Sequence, residues 1–418
     1  MRYIKQPQVV SCDGNNTFQH VTQNIVMRVQ EEGWPAVKEY ARDFDNYKGS
    51  FYVSQEETNQ ALSSLPSSIR SALERAITNV RIFHKRQKEM FQPILCPIEK
   101  GVTASLRFLP VRRAAIYTPA GRYPLPSTAI MGIVPAQEAG VQEVVLFSPP
   151  TKEGKLAPVI AATAALLGIK EVWALGGAHG VAAMATGAGP IKKVDMIVGP
   201  GNAYVTEAKR ILSGIVGIDG LAGPSEVLII ADNTAHPLWL AADIAAQSEH
   251  DPMATSTLLC TDEDIAIQTL KKLNKLLETL PTANIAKQAW ETNGTIAVCS
   301  LKEAIIECNK LAPEHLQLCV DTPENVLGAC TSYGAAFLGN WTPVPFGDYI
   351  AGTNHTLPTS NRARYAGGLW TGTFLRPMTS LHIDRNGAEL LAEDGMNLAH
   401  IEGLAAHSLS MALRRNRP

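Results

Sequence analysis

Apolar residues return at three- and four-residue spacing over residues 16–88, among many Glu, Gln, Arg and Lys residues. The stretches VTQNIVMRV and IRSALERAITNV carry this spacing most clearly. Such a period places apolar side chains on one face of a helix. We therefore predict a helical N-terminal segment, which has no reactive motif of its own.

From residue 114 the pattern changes to short β-rich runs that alternate with Ala-rich helical stretches. One series contains the predicted strands AAIY, VQEVVLFS, EVWAL and VDMIVG. A second series contains SEVLIIAD, TLLCTD, TIAVCS, HLQLCVD and AAFLGN, with helices at about 238–248 and 264–280. This alternation predicts parallel sheets with helical crossovers. The similar rhythm of the two series suggests duplicated halves that resemble nucleotide-binding folds.

The C-terminal part of the chain, after residue 367, has a helical pattern again. It ends in IEGLAAHSLSMALRRN, whose apolar spacing predicts a helix that must pack on another surface. Tails of this kind often dock on a partner subunit, so we expect such a contact here.

Composition indicates an ordinary enzyme of more than one domain. The chain has 418 residues and a net charge of −2, without a Lys/Arg-rich block, which disfavours nucleic acid or an anionic membrane as a partner. The N-terminus has no signal-like apolar core, and no stretch approaches about 18 apolar residues, so we expect a cytoplasmic protein. The seven cysteines form no CxxC pair. We interpret Cys260, Cys299 and Cys319 as buried, inert thiols.

Two glycine-rich turns follow predicted strands. GGAHG spans residues 176–180, and VGPGNAYVTEAKR spans 198–210 and opens a helix. Backbone amides of such turns lie at the carboxyl end of parallel strands, where open α/β sheets bind ligands. Neither turn contains GxGxxG, so composition alone favours a plain strand-to-helix turn over a ligand site.

The motif AAQSEHD places Gln247 and His250 three residues apart in a helical stretch. Both side chains would emerge on one face and could share a metal, although the motif alone favours an ordinary surface or core histidine. Asp348 lies in a loop flanked by Gly and Pro, where an Asp is often a turn residue. Glu402 and His407 are five residues apart in the predicted tail helix. His355, like these residues, also has a simple non-catalytic interpretation.

The motif APEHL places an acid beside an imidazole immediately before a predicted buried strand. Glu314 could activate water, and His315 could take a proton from an alcohol. The alternative is a Glu that caps the strand and an exposed His beside it.

Seven motifs in this order resemble histidinol dehydrogenases over residues 20 to 415. They are IYTPAGRYPLPST, VGPGNAYVTEAKR, LAGPSEVLIIAD, AAQSEHD, LAPEHL, GDYIAGTNHTLPT and IEGLAAHSLSMALR. The resemblance implies a zinc ion held by Gln247, His250, Asp348 and His407. It also implies that Glu314 and His315 are the catalytic pair.

The same resemblance implies the remaining contacts of the site. Substrate would contact Ser225, His355 and Glu402 besides His315 and the zinc ligands, with Glu402 and His407 reaching across a homodimer. NAD would contact Tyr117 and Asn202. The family has a Gln at the third cofactor position, where this chain has His179.

The implied reaction oxidises L-histidinol to L-histidine through L-histidinaldehyde and uses two NAD molecules, as the last step of histidine biosynthesis. The implied fold class is α/β, with two tandem, incomplete Rossmann-like domains that have parallel-rich sheets. Residues 1–113, which include the N-terminal helices, and 227–368 would form the first domain. Residues 114–226 would form the second, NAD-binding domain, and residues 369–418 a helical tail that contacts the dimer partner.

Three alternatives stay open at this point. GTNHTLPTSNRARYAGGLWTG looks somewhat more like a sulfopropanediol dehydrogenase of the same superfamily, whereas AGPSEV and EGLAAH look more like the histidinol branch. A zinc hydrolase would use Glu314 with a metal-near water but has no evident use for the GPGNAY and IYTPAG turns. A catalytically inactive binding protein would have no need for both Glu314 and His315.

Overall fold

The computed structural model describes residues 1–8, 17–47, 49–120 and 123–415. Gly121 and Arg122 of the IYTPAGRYPLPST motif therefore lie outside the described residues. The strands are β1 (Arg2–Lys5), β2 (Tyr52–Val53), β3 (Ile94–Glu99), β4 (Val102–Pro110), β5 (Arg113–Tyr117), β6 (Glu143–Ser148), β7 (Glu171–Ala174), β8 (Met196–Val198), β9 (Gly217–Ile218), β10 (Glu226–Ala231), β11 (Thr255–Cys260), β12 (Thr295–Val298), β13 (His315–Cys319), β14 (Ala335–Leu338) and β15 (Leu375–Ile383).

Helices connect most of these strands. They are α1 (Thr17–Glu32), α2 (Trp34–Asp45), α3 (Gln55–Ser63), α4 (Ser67–Glu89), α5 (Pro126–Ala139), α6 (Pro158–Leu166), α7 (Gly177–Thr186), α8 (Ala203–Leu212), α9 (Pro237–Ser248), α10 (Glu263–Thr279), α11 (Ala283–Asn293), α12 (Leu301–Leu311), α13 (Pro323–Leu327), α14 (Val344–Tyr349), α15 (Arg385–Ile401) and α16 (Ala405–Arg415).

Two sheets have the same strand order. In the first sheet the order is β1-β12-β11-β10-β13-β14, and in the second it is β2-β7-β6-β5-β8-β9. All pairs are parallel except those of β1 and β2, each of which adds antiparallel to an outer strand. The chain reverses direction across each sheet at its central strand, β10 or β5, as in doubly wound folds. This confirms the predicted α/β class with two Rossmann-like halves.

Each of the two sheets has an apolar core on both faces. All five residues of β5 are buried, which explains why AAIY is a continuous apolar run and not an alternating one. Gly132 on α5 meets this strand so closely that an added Cβ would lie 2.4 Å from the Cγ2 atom of Ile116. Crossover helices therefore pack directly on the strands that hold the site.

The N-terminal helices pack on the second sheet. α1 contacts α7 and α8, α3 contacts α6, and α4 contacts α5. By contrast, β1 at the start of the chain joins the first sheet. This packing differs from the expected grouping of residues 1–113 with 227–368, because the apolar faces of these helices complete the core beside β5 and β7. The domain boundaries themselves stay a prediction.

The C-terminal segment is not wholly helical, contrary to the prediction. It begins with one short 3-10 turn and continues as β15, which pairs with β4 in a third, antiparallel sheet ordered β15-β4-β3. The tail after β15 is also two helices and not one. Gly403, with φ +74°, ends α15, since its left-handed backbone stops the helical path before α16.

The base of α15 is held against the turn between β3 and β4. Asp384 caps the helix by accepting a hydrogen bond from the Gly387 amide at 3.0 Å, and the Asp384 amide donates to the carbonyl of Gly101 at 2.8 Å. Gly101 and Gly387 meet so closely that a Cβ on Gly387 would lie 2.6 Å from the Gly101 oxygen. Only glycine allows this approach of helix and turn.

Cys260, Cys299 and Cys319 are buried, as predicted. Within residues 1–8, 17–47, 49–120 and 123–415, none of the helices has the length and apolar character that crossing a membrane requires.

Candidate active site

The predicted site residues gather where the two sheets face each other. His315 is the first residue of β13, and Ser225 directly precedes β10, so both lie at the amino edge of the first sheet. Tyr117 ends β5 at the carboxyl edge of the second sheet. Thr128 on α5 and His355 join the two sides, with 3.3 Å between the Thr128 Oγ1 and His355 Nε2 atoms. We name the region between these two edges, around His315 and His355, the cleft.

His315 is buried and has a defined orientation. Its Nδ1 atom lies 3.0 Å from the carbonyl oxygen of Glu226. A carbonyl only accepts, so Nδ1 carries the hydrogen and Nε2 keeps a lone pair. Nε2 is buried without a hydrogen-bond partner among the described residues, and the Asp348 Oδ1 atom is 3.8 Å away. Burial lowers the pKa of His315 to about 4, and His250 and His355 nearby oppose its protonation further. The ring is thus a neutral acceptor of protons.

Glu314 is buried beside this imidazole. Its Oε2 atom accepts a hydrogen bond from the Glu226 amide at 2.9 Å and lies 3.5 Å from the His315 Nδ1 atom. Burial raises the pKa of Glu314 well above its usual value, and the nearby carboxylates of Glu226 and Asp348 raise it further. A carboxylate with a raised pKa is a stronger base towards water. The alternative of a strand cap beside an exposed His is therefore wrong for the imidazole, which is 5% exposed.

Asp348 lies in the short helix α14 and not in a loop as predicted. Pro343 and the Pro at the second position of VPFGDY start this helical turn, because proline is well accommodated in the first turn of a helix. Burial raises the pKa of Asp348 to about 7. Its backbone carbonyl accepts a hydrogen bond from the Nδ1 atom of His355 at 2.9 Å. Asp348 and His355 are therefore fixed relative to each other.

His250 is close enough to His315 and His355 to interact with both, and Gln247 precedes it by three residues near the end of α9. α9 ends at Ser248, and His250 follows the turn at Glu249, contrary to the prediction that both residues share a helix. Asp251 precedes a proline, and that position disfavours a helical backbone, which explains the early end. Gln247 is buried, and its Nε2 atom has no hydrogen-bond partner in the described structure.

Glu402 and His407 are exposed on the tail. Glu402 caps the end of α15, and His407 lies in the first turn of α16. Across the part of the chain that the structure describes, no three His, Cys, Asp or Glu side chains come together in a way that could hold a metal. The structure brings Glu314, His315, Asp348, His355 and His250 to one cleft of this chain, whereas Glu402 and His407 are exposed and have no contact with that cleft among the described residues.

The predicted cofactor residues lie at the carboxyl edge of the second sheet. Tyr117 is buried, with its ring 5.1 Å from that of Phe147, and it interacts with the backbone of Gly177 at the start of α7. Burial raises the pKa of the Tyr117 phenol. The Asn202 side chain caps α8 by accepting from the Val205 amide at 3.1 Å. Both glycine-rich turns thus open helices at the strand ends, as predicted.

His179 is 1% exposed and lies in the first turn of α7. Its Nε2 atom is 3.5 Å from the Oδ2 atom of Asp45, the last residue of α2. The rings of Tyr40 and Phe44 lie 6.3 Å from the imidazole. His179 therefore packs against the N-terminal helices, close to the Gly176 turn.

A buried ion pair holds the GPGN turn. Lys209 and Asp219 form this pair, and the side chains are 3% and 6% exposed. The Asp219 Oδ2 atom accepts from the Gly199 amide at 2.7 Å, and Lys209 Nζ donates to the Gly199 carbonyl at 3.0 Å. Both backbone groups of Gly199 are thus fixed by charged partners, which form strong hydrogen bonds.

Several residues that build the cleft were not predicted. Glu226 orients His315 and Glu314 through its backbone, and Thr128 contacts His355. Asn354 holds the loop before His355, since its Nδ2 atom donates to the carbonyl of Met131 at 2.8 Å. Each lies inside a quoted motif, but the contacts are made by backbone atoms or short polar side chains, which leave no signal in spacing.

Comparisons with known proteins show the family of the chain. A family model described as "Histidinol dehydrogenase" matches residues 11–415. The chain is 40% identical to the histidinol dehydrogenase of Caulobacter vibrioides, over 93% of this chain and 91% of that protein. It is 39% identical to a histidinol dehydrogenase homolog of Shouchella clausii, over 100% and 99%. The crystal structure of histidinol dehydrogenase from Elizabethkingia anophelis has a TM-score of 0.91 at 36% identity and covers 98% of this chain and 94% of that one. These matches confirm the resemblance of the seven motifs, and the chain belongs to the histidinol dehydrogenase family of oxidoreductases.

Proposed function

We propose that the protein oxidises L-histidinol to L-histidine through L-histidinaldehyde, with zinc and two NAD molecules, as the last step of histidine biosynthesis. The observation that carries this proposal is the His315 imidazole, whose unpaired Nε2 atom faces the cleft beside Asp348 and Glu314. Family membership supports the substrate, because the matching relatives are named for it.

The residues of the cleft fit a zinc ion by their chemistry. Gln247, His250 and Asp348 offer an amide oxygen, an imidazole nitrogen and a carboxylate oxygen, and zinc takes nitrogen and oxygen ligands of these kinds. Three ligands from one chain leave a fourth position to be supplied, and we assign it to His407. When bound, zinc would hold the imidazole and the amine of the substrate and so fix the carbinol carbon.

We assign His407 and Glu402 to the cleft of a second copy of the chain. Their own helices present large exposed apolar side chains, namely Leu390, Leu398, Ile401, Leu404, Leu409 and Leu413. The adjoining third sheet also exposes Ile94, Leu95, Ile98, Met378, Leu381 and Ile383. Many exposed large apolar side chains on neighbouring elements are typical of a protein interface. Their position on the elements that carry and adjoin the two tail residues supports a homodimer with shared active sites.

The carboxyl edge of the second sheet fits a dinucleotide. The turns at Gly176 and Gly199 place the amino ends of α7 and α8 side by side at the strand ends, where phosphate groups bind. Tyr117, Asn202 and His179 line this edge, and we assign them to NAD. Bound nicotinamide would accept the hydride in each of the two oxidations.

In the first oxidation, His315 takes the hydroxyl proton through its Nε2 atom while hydride leaves the carbinol carbon. The Glu226 carbonyl keeps the Nδ1 hydrogen in place, and so the ring presents the same acceptor atom throughout. The low pKa of His315, about 4, keeps the imidazole unprotonated at neutral pH.

In the second oxidation, Glu314 takes a proton from water, and the resulting hydroxide attacks the aldehyde carbon. After His315 has released its first proton to solvent, the hydrate loses a second hydride while His315 accepts the hydroxyl proton, and the carboxylate is formed. The hydrogen bond from the Glu226 amide holds one Glu314 oxygen and leaves the other for water. Glu314 thus takes the proton of water, and His315 takes the proton of the substrate hydroxyl.

The test is an assay of the purified protein with NAD and zinc, using either L-histidinol or sulfopropanediol as substrate, and following NADH at 340 nm. We expect two NADH per histidinol and the loss of activity on chelation, restored by zinc. Turnover of sulfopropanediol alone would overturn the substrate assignment. Full activity of protein shown to be metal-free would overturn the zinc assignment.

A further inference from the structure

A buried polar pair lies directly beneath the cleft. The Gln317 Nε2 atom on β13 donates to the Oδ2 atom of Asp243 on α9 at 2.6 Å and is 3.3 Å from the Sγ atom of Cys319. Gln317 is 0% exposed, and its neighbours on the adjacent strands, Ile229 and Phe337, are apolar. A buried amide without a packing role is costly, so its presence calls for an explanation.

The pair is one step away from the active site on both elements. On a strand, side chains two residues apart share a face, which puts Gln317 below His315. On a helix, side chains four residues apart are neighbours, which puts Asp243 below Gln247. α9 follows β10 and returns towards the amino edge, so both steps run in the same direction. The residue pairs Asp243–Gln317 and Gln247–His315 therefore follow one another along α9 and β13.

The hydrogen bond between Gln317 and Asp243 has a fixed direction. An ionised carboxylate only accepts hydrogen bonds, so Gln317 must present its NH2 group to Asp243. The Oε1 atom of Gln317 is then turned away, and it is buried without a partner in the described residues. The neighbouring pair offers a donor for this acceptor. The Nε2 atom of Gln247 is buried and also has no partner among those residues.

We propose that Asp243 and Gln317 are positioning residues that set the orientation of the Gln247 amide. Asp243 orients Gln317, the Gln317 oxygen attracts the Gln247 NH2 group, and the Gln247 oxygen is thereby directed to the cleft as a metal ligand. This inference rests on the proposed zinc site. Partners behind a ligand act by fixing its orientation, and their loss commonly costs about 10- to 100-fold in metal affinity.

The experiment compares four forms of the full-length protein: wild type, Gln317→Leu, Asp243→Leu and the double variant Asp243→Leu/Gln317→Leu. Zinc affinity is measured on the metal-free protein by competition with a chromophoric chelator, and stability by thermal unfolding. Gln137→Leu is the matched control, because Gln137 also joins two elements, donating to the Leu167 carbonyl at 2.7 Å, but lies in the other half.

We expect each single variant to lose stability and about 10- to 100-fold in zinc affinity. The double variant removes both partners together, so it should recover much of the stability but none of the affinity. Gln137→Leu should keep the wild-type affinity. Wild-type zinc affinity in the double variant would overturn the proposal and indicate a purely structural pair. Failure of the wild type itself to bind zinc would instead overturn the zinc assignment.

Discussion

The Nδ1 atom of His315 lies 3.0 Å from the carbonyl oxygen of Glu226, and this contact decides which ring nitrogen is basic. His315→Asn keeps a donor for that carbonyl but has no second nitrogen in place of Nε2. We therefore expect kcat for histidinol to fall by about 10²- to 10⁴-fold, the usual contribution of a general base, with little change in Tm. The measurement is steady-state NADH formation beside thermal unfolding. His236→Asn, at an exposed histidine, should have wild-type kcat. A kcat for His315→Asn within threefold of wild type would contradict the role of base.

Glu314→Gln separates the two oxidations. The amide side chain of this variant could still accept from the Glu226 amide but could not take a proton from water. We expect the aldehyde-to-acid half, assayed with histidinaldehyde, to lose at least about 100-fold, and the first oxidation much less. Rapid quench would show accumulated aldehyde. Glu307→Gln, on α12, serves as the control, since its carboxylate pairs only with Lys310 among the contacts observed. Equal losses in both halves would disprove the division of labour.

Asp243→Asn should raise stability at alkaline pH. Burial raises the pKa of Asp243 to about 6 from its ordinary 3.8. The folded state thus favours the protonated acid, so this contribution to stability is fully present below pH 3.8 and is lost as pH rises through 6. Asn carries no charge to desolvate and should stabilise the protein at pH 8 by on the order of 1–3 kcal/mol. Urea unfolding at pH 4 and 8 measures this. A gain of equal size at both values would refute the electrostatic cause.

Lys209→Met should destabilise the second half. It leaves the Asp219 carboxylate buried without its counter-charge, which commonly costs about 3–5 kcal/mol. Since Lys209 also holds the Gly199 carbonyl, we expect weaker NAD binding, measured by fluorescence titration. The double variant Lys209→Met/Asp219→Asn should recover most of the stability. Lys193→Met changes an exposed lysine and should alter neither quantity. An unchanged urea midpoint for Lys209→Met would show that the ion pair is dispensable.

Mixing two inactive variants tests the shared site. His315→Asn and His407→Asn damage different parts of one cleft, and in a mixed dimer with shared sites one of the two clefts would be intact. We expect co-refolded mixtures to regain up to about one quarter of wild-type activity, given random pairing of equal amounts. The separately refolded variants are the controls. No regain, with mixed dimers demonstrated by differential tagging, would rule out sharing.

Much of the fold could be predicted because the strands of both sheets are short apolar runs between amphipathic helices. The buried strand HLQLC and the preceding Glu314 were located by this pattern alone. The strand β15 was missed, since eight of its nine residues are exposed and its pattern shows no buried face. The end of α9 before His250 depends on a single Asp-Pro step, which periodicity does not register.

The site was harder to predict because the orientation of its side chains depends on contacts between residues far apart in the sequence. His315 and Glu226 are 89 positions apart, and Thr128 and His355 are 227 apart. A motif shows that a residue of suitable chemistry is present, but not which backbone carbonyl fixes its tautomer. Gln317 carried a local signal, a polar residue inside a buried strand, although its partner Asp243 lies in another element.

The contact between Gly101 and Gly387 at the base of α15 sets the direction of this helix. α15 has 17 residues and so is about 25 Å long. A tilt of about 10° at the base would move its far end, where Glu402 lies, by roughly 4 Å, which exceeds a hydrogen bond. The backbone contact between Gly101 and Gly387 therefore controls the position of the far end of α15. A single methyl group added at this contact, far from any reacting atom, would change the positions of Glu402 and of α16.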